Sequence, residues 1–262
     1  MPDAGLSLTL GELRSEVCRY LQFGRSYETL PDREKADVDA CVRRGMRQFL
    51  APPPVGGDLH SHTWSWIRPE GTLTTSATTA TYDLPENFGG IVGDLSYESS
   101  SDGATRPISV TSLSAFNARK QQETLSSGRP DTCAISPKST SSGEPDRPSR
   151  FQMHLFPTPD KAYILKYQYV ATLGEFTDRP PSTPMPGGQM HGETIIASCL
   201  AIAENLTTDN PGRYMDSFGQ RLSASISADR RLYMPSNLGA NTDNSDGTYR
   251  GRRTSTNVTY TG

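Results

Sequence analysis

The spacing of apolar residues changes twice along this chain, and that switch limits the folds open to it. Leu10, Leu13, Val17, Tyr20 and Leu21 recur at helical spacing, which places them on one face of a 3.6-residue turn. Thr9 and Glu12 form a T-x-x-E capping box, in which each side chain satisfies a free backbone N–H. A second helix is predicted from Pro31-Asp32, because an early helical position needs no N–H from proline. Val38, Cys41, Val42, Met46 and Phe49 supply its stripe, and Pro52-Pro53-Pro54 ends it. Two helices joined by a short loop predict an antiparallel pair.

From His60 to about Val170 the spacing becomes mostly two. Trp64 and Trp66 flank Ser65, Leu73 to Tyr82 is threonine-rich and β-prone, and Ile91, Leu95 and Tyr97 suggest a further strand. Phe151, Met153 and Leu155 alternate with Gln152 and His154, and Tyr163, Leu165, Tyr167 and Tyr169 form a second alternating run. Pro157-Thr158-Pro159-Asp160 separates the two, so the pair reads as the clearest hairpin in the chain. One short helix is predicted from Ser112 to about Leu125, stopped at Gly128. Ser139 to Ser149 reads as a polar loop.

Helical spacing returns after the proline-rich stretch Pro180 to Gly188. Ile195, Ile196, Cys199, Ile202, Ala203 and Leu206 mark one apolar face. Asn210-Pro211 restarts a helix with a cap and an early proline, and Met215, Phe218, Leu222 and Ile226 continue it to about Leu232. Residues 235–262 are mostly Ser, Thr, Asn, Gly and Asp and cannot bury enough surface to fold alone. They read either as a disordered tail or as an extended arm that orders on a partner.

The expected architecture is therefore α+β: a helical domain formed from both ends of the chain, an inserted antiparallel β domain, and an extended C-terminal arm. The expected boundaries are 1–55 for the N-terminal helix pair and 56–180 for the β-rich insert with one short helix. A C-terminal helix pair packing on the N-terminal helices takes 181–233, and the arm takes 234–262.

Composition narrows the function classes. Only 34% of the 262 residues are apolar, with 23 glycines and 20 prolines. Mean hydropathy is -0.58. No window approaches the ~18 consecutive apolar residues of a membrane span, and no secretory signal is evident at the N-terminus. A net charge of -3 does not argue for general nucleic-acid affinity. Such a chain suits a loop-rich protein with a modest core that draws on partner subunits to bury more surface. Cys18, Cys41, Cys133 and Cys199 form no C-x-x-C pair and are expected to be free, buried thiols.

Asp58-Leu59-His60-Ser61-His62 is the one string with an obvious chemical reading. On a strand, H-x-H points both imidazoles to one face, which suits a divalent metal. It resembles the opening motif of PHP phosphoesterases and amidohydrolases, and so offers a metal-dependent hydrolase using His60 and His62 as an alternative. Against this, only His154 and His191 remain as further histidines, about fifty residues precede the motif, and the strands do not alternate with helices as such a barrel requires. A solvated loop or strand edge is the expectation. No phosphate loop, dinucleotide fingerprint or nucleophile elbow occurs, so no catalytic residue, metal ligand or cofactor is assigned.

Several strings in order resemble the head–tail adaptor (connector) proteins of tailed bacteriophages, including tail-accessory and tubular-A-like members. Arg43-Arg44-Gly45-Met46-Arg47-Gln48-Phe49, followed by prolines and Trp64-Ser65-Trp66, is similar to the family's second helix and tryptophan strand. Tyr82-Asp83-Leu84-Pro85-Glu86-Asn87-Phe88 resembles its Y-x-L-P-x-x-F turn. Gly128-Arg129-Pro130 leading to Cys133-Ala134-Ile135 resembles its G-x-P entry to a strand. Phe151 to Tyr169 and Glu193 to Glu204 are similar to its following hairpin and helix. The resemblance runs from about residue 9 to 232.

The resemblance implies a non-catalytic virion protein at the head–tail junction, assembled in the host cytoplasm. It would form a ring of about twelve copies beneath the portal protein, dock tail or nozzle proteins, and line the channel for passing genomic DNA without sequence-specific binding or membrane contact. The arm would reach the portal through Tyr249, Arg250, Arg252, Arg253, Val258 and Tyr260, its Thr254–Tyr260 stretch adding a strand to a portal edge. A tail or capsid decoration protein of similar composition is a further alternative.

Overall fold

The computed structural model describes residues 6–55, 61–98, 106–123, 127–138, 151–207 and 212–233. The fold is α+β. The described residues divide into two compact units, one from residues up to 67 together with those from 173 to 233, the other from residues 68–172.

The first unit is helical: α1 (Leu10–Tyr20), α2 (Asp32–Leu50), α4 (Gly192–Thr207) and α5 (Arg213–Tyr233). The capping box at α1 forms as expected. The Glu12 N–H donates to Thr9 Oγ1 at 3.3 Å and the Thr9 N–H donates to Glu12 Oε2 at 2.9 Å. The next free donors at this helix start are taken by the proline-rich stretch: Leu10 N–H donates to the Thr183 carbonyl at 2.9 Å and Gly11 N–H to the Pro181 carbonyl at 2.8 Å. Every predicted stripe residue of α2 is buried.

α4 is covered on most of its circumference, with Thr194, Ala197, Ser198, Ala201 and Glu204 buried beside the expected stripe. Two expectations fail at its far end. Leu206 is 56% exposed and Met215, in the first turn of α5, is 37% exposed. Helical phase names the face a residue occupies, but neighbouring elements must extend to that level to cover it. Asn210 and Pro211 lie outside the described residues. α2 crosses α4 closely at Gly45, whose carbonyl accepts the Ser198 hydroxyl at 2.8 Å.

The second unit holds two sheets, in the orders β1-β7-β3 and β2-β6-β5-β4. The strands are β1 (Glu70–Thr74), β2 (Thr81–Asp83), β3 (Phe88–Tyr97), β4 (Ser109–Thr111), β5 (Thr132–Pro137), β6 (Phe151–Phe156) and β7 (Ile164–Ala171). Between β4 and β5 runs α3 (Leu113–Gln122), capped by Ser112 and shorter than expected. All pairings are antiparallel except β4 with β5, which is parallel. The expected antiparallel insert thus carries one parallel pair, where α3 supplies the crossover such a pair needs.

The expected hairpin does not form. β6 pairs with β2 and β5, whereas β7 pairs with β1 and β3. Pro157 and Pro159 have no N–H to continue a ladder. The turn's carbonyls are used elsewhere: Thr158 accepts from Gly128 N–H at 2.7 Å and Pro159 from Thr78 N–H at 2.9 Å. Met153 and Leu155 of β6 then share one core with Leu165, Tyr167 and Tyr169 of β7. Side-by-side strands would not enclose that volume; strands in two sheets do. The threonine-rich run likewise splits into β1 and β2, in different sheets.

Trp64-Ser65-Trp66 is not a strand either: Ser65–Ile67 forms a single 3-10 turn within the helical unit. All four cysteines are free and buried. Burial pushes the Cys41 and Cys133 thiols up to about 11 and about 12. The Ser139–Ser149 loop and the C-terminal arm lie outside the described residues.

Candidate functional site

The segment after α2 packs a buried cluster of aromatic and polar side chains in the helical unit. Trp64 is fully buried, and its indole N–H donates to the Phe49 carbonyl at 2.9 Å. That carbonyl belongs to the last turn of α2, where no intrahelical partner exists. The indole also packs on the Phe49 ring, with centroids 4.6 Å apart, and meets His191 at 4.8 Å and His62 at 5.0 Å.

Asp229 of α5 anchors the same segment. It is 2% exposed. Its carboxylate accepts the Ser65 N–H at 3.0 Å and the Ser65 hydroxyl, and pairs with His62 Nε2 at 2.8 Å. Burial pushes this carboxyl up, but the Ser65 and His62 hydrogen bonds outweigh it and hold the group below the usual carboxylate range. His191 is buried, and its Nδ1 has no hydrogen-bond partner among the described residues. Burial pushes its imidazole below the ordinary value, against the pull of Asp229 and with the help of His62.

This arrangement absorbs half of the histidine motif. His62 is engaged with a carboxylate, and His60 lies outside the described residues. His154 is bonded within the β unit, to Thr81 Oγ1 at 3.1 Å and Ser136 Oγ at 2.8 Å. Among the described residues no group of three or more His, Cys, Asp or Glu is placed to hold a metal. The cluster is a structural clasp: it ties the chain leaving α2 to α5 and to the start of α4.

A second clasp was not legible in the sequence. Arg14 of α1 donates to Asp39 at 2.9 Å and to the Thr177 carbonyl at 2.6 Å. Its guanidinium lies 4.1 Å from the Tyr27 ring centroid, and the Tyr27 hydroxyl donates to Asp39 at 2.7 Å. Burial and the Asp39 hydrogen bond push the Tyr27 phenol up to about 12. In the β unit, Arg119 of α3 makes a two-pronged pair with Asp131 at 2.7 and 2.9 Å, tying that helix to the start of β5. All these contacts hold elements in register.

The proposed arm residues Tyr249, Arg250, Arg252, Arg253, Val258 and Tyr260 lie outside the described residues. No described helix is long and apolar enough to cross a membrane. A family model described as SU10 adaptor protein matches residues 8–241, spanning both units. No match is found among curated proteins.

Proposed function

Starting from the SU10 adaptor protein family, to which this chain belongs, we propose that it is a subunit of the ring joining the portal to the tail of a bacteriophage. Members of this family are structural phage adaptors, and the chain is a virion component of that kind. In the proposed reading about twelve copies close into a ring, with portal protein on one side and tail or nozzle proteins on the other, and the ring lines the channel for the genome. The observation that carries the reading is the family match, which covers the helical unit and the β insert together rather than one common module. A net charge of -3 is in keeping with DNA sliding past, since many phosphate contacts would raise affinity steeply. The buried polar groups, spent on holding elements together, agree with a non-catalytic role.

The C-terminal segment is proposed as the portal-binding arm, through Arg250, Arg252 and Arg253 and the β-prone Thr254–Tyr260. Electron microscopy of native particles, with the mass of the isolated neck assembly, tests the ring. A closed ring of this chain between portal and tail is the expected result. Finding it on the capsid or tail surface would overturn the reading in favour of a decoration protein. Deleting residues 235–262 is expected to abolish portal binding while the melting temperature stays unchanged; retained portal affinity would refute the arm.

A further inference from the structure

The edge of a sheet carries unpaired backbone groups and accepts a further strand unless something blunts it. The three-stranded sheet of the β unit has its edges at β1 and β3. β3 is blunted: its pairing with β7 shifts register between Phe88 and Gly90 and again between Val92 and Ser96, and Gly93 bends it at a φ of 71°. β1 carries none of these devices. It pairs with β7 without a shift, from Glu70↔Gln168 to Thr74↔Ile164, and contains no proline or lysine. Among the described residues no strand pairs with its other side.

The direction of its backbone groups follows from the register. Thr75 N–H donates to the Tyr163 carbonyl at 2.8 Å and Tyr169 N–H to the Pro69 carbonyl at 3.2 Å. Groups two residues apart along a strand point the same way. Gly71 and Leu73 therefore face β7, and Glu70, Thr72 and Thr74 turn their N–H and C=O groups to the open side. These three residues are also exposed. On the core face the edge is uneven. Leu73 packs partly buried against the core, whereas the Tyr167 ring of β7 reaches over Gly71. A Cβ at Gly71 would lie 2.6 Å from Tyr167 Cζ and 2.9 Å from its hydroxyl oxygen. An adjoining strand that sets an aliphatic side chain beside Gly71 would pack it on the end of that ring.

β1 is itself such a strand. Two copies of β1 placed antiparallel about Thr72 pair over their whole length: Thr72 with Thr72, Glu70 with Thr74, and Gly71 with Leu73. Every open group at Glu70, Thr72 and Thr74 then gains a partner, about six hydrogen bonds in all. Each Leu73 comes to lie beside Gly71 of the other copy at the ~4.8 Å strand spacing, against the Tyr167 ring. Each Glu70 lies opposite a threonine, so no like charges are opposed.

We propose that β1 pairs with β1 of a second copy across a two-fold axis at Thr72, joining two three-stranded sheets into one. A like-with-like contact closes on itself, so it is distinct from the head-to-tail contacts of a ring and belongs to the chain before assembly. A single strand pair buries less than the ~1,200 Å² of a stable interface, so the dimer is reversible and rises with concentration.

The test uses the purified full-length chain. Light scattering across a concentration series should show the wild-type mass rising toward twice that of the monomer. Thr72→Pro removes one outward N–H, a change an edge strand tolerates, and should hold the chain at monomer mass with unchanged circular dichroism. Under mild oxidation Thr72→Cys should form a disulfide-linked dimer, because a hydrogen-bonded antiparallel pair sets its Cα atoms ~5.5 Å apart, within disulfide reach. The native cysteines are all buried, and Gln121→Cys, exposed on α3, controls for chance collision. The cross-link decides the matter should T72P fail to fold. A wild-type chain that stays monomeric at every concentration, a T72P mass as large as that of wild type, or T72C that links no faster than Q121C overturns the pairing and leaves the ring reading intact.

Discussion

Replacing Gly45 by alanine probes a close contact between α2 and α4, and its cost follows from the geometry. A Cβ at Gly45 would sit 2.6 Å from both the Cα and the Sγ of Cys199 and 2.8 Å from its backbone N. Two of these are backbone atoms, so a rotamer change cannot relieve the clash, and α2 and α4 must separate by several tenths of an ångström. Overpacking of this kind costs ~1–3 kcal/mol. Separation also weakens the buried hydrogen bond from Ser198 to the Gly45 carbonyl, 2.8 Å long, for ~1 kcal/mol. Alanine returns ~1 kcal/mol through helix propensity. The net loss is about 2 kcal/mol, or a fall of about 4–8 °C in the melting temperature of the helical unit. The control is Gly219→Ala on α5, where nothing lies within 4 Å of the added methyl; it should gain up to ~1 kcal/mol by propensity alone. Calorimetry of both variants reads the pair. A neutral or stabilised G45A, or two variants shifting in the same direction, would refute the reasoning.

The remaining predictions follow from the clasps. Trp64→Phe removes the only side-chain donor seen on the Phe49 carbonyl among the described residues and opens space in a fully buried site, so urea unfolding should report a loss of about 2–4 kcal/mol. Trp66→Phe should cost less than half of that, because the buried Trp66 indole N–H has no partner to lose among the described residues. Asp229 has a depressed folded-state pKa, so its contribution is present above the unfolded value near 4 and is lost as pH falls through the folded value. Asp229→Asn should flatten the acid limb of a melting-temperature profile; an unchanged limb would show that the carboxylate is not the source. His191 is held neutral below its ordinary value, so the unfolded chain takes up a proton first as pH falls below ~6.5 and stability declines there. NMR titration should find its imidazole titrating below the ordinary histidine value, and a pKa at or above ~6.5 would contradict the burial argument.

Much of the local structure was legible because its causes lie within a few residues. The Thr9–Glu12 box, the start of α3 at Ser112, the α2 stripe and its proline stop each depend on bonds or faces set by immediate neighbours. The family resemblance was legible for the same reason, as an ordered series of short strings. What failed depended on partners far along the chain. Asp229 lies 164 positions from Ser65 and 167 from His62, so no spacing rule could pair them, and the expected solvated edge gave way at His62 to a side chain only 10% exposed against that carboxylate. Arg14 and Thr177 are 163 positions apart. Strand alternation correctly marked β6 and β7, but alternation states which side chains share a face and not which strand lies alongside. That choice went to the arrangement enclosing the larger apolar core. Leu206 and Met215 carried the right helical phase and still emerged exposed, because burial is decided by how far neighbouring helices extend. Sequence by itself determined the capped start of α1, the buried stripe of α2, the alternation of β6 and β7, and the family. Tertiary structure decided the pairing of strands, the partners of buried charges and the apolar residues left uncovered, since each depends on free energy gained only when distant segments close upon one another.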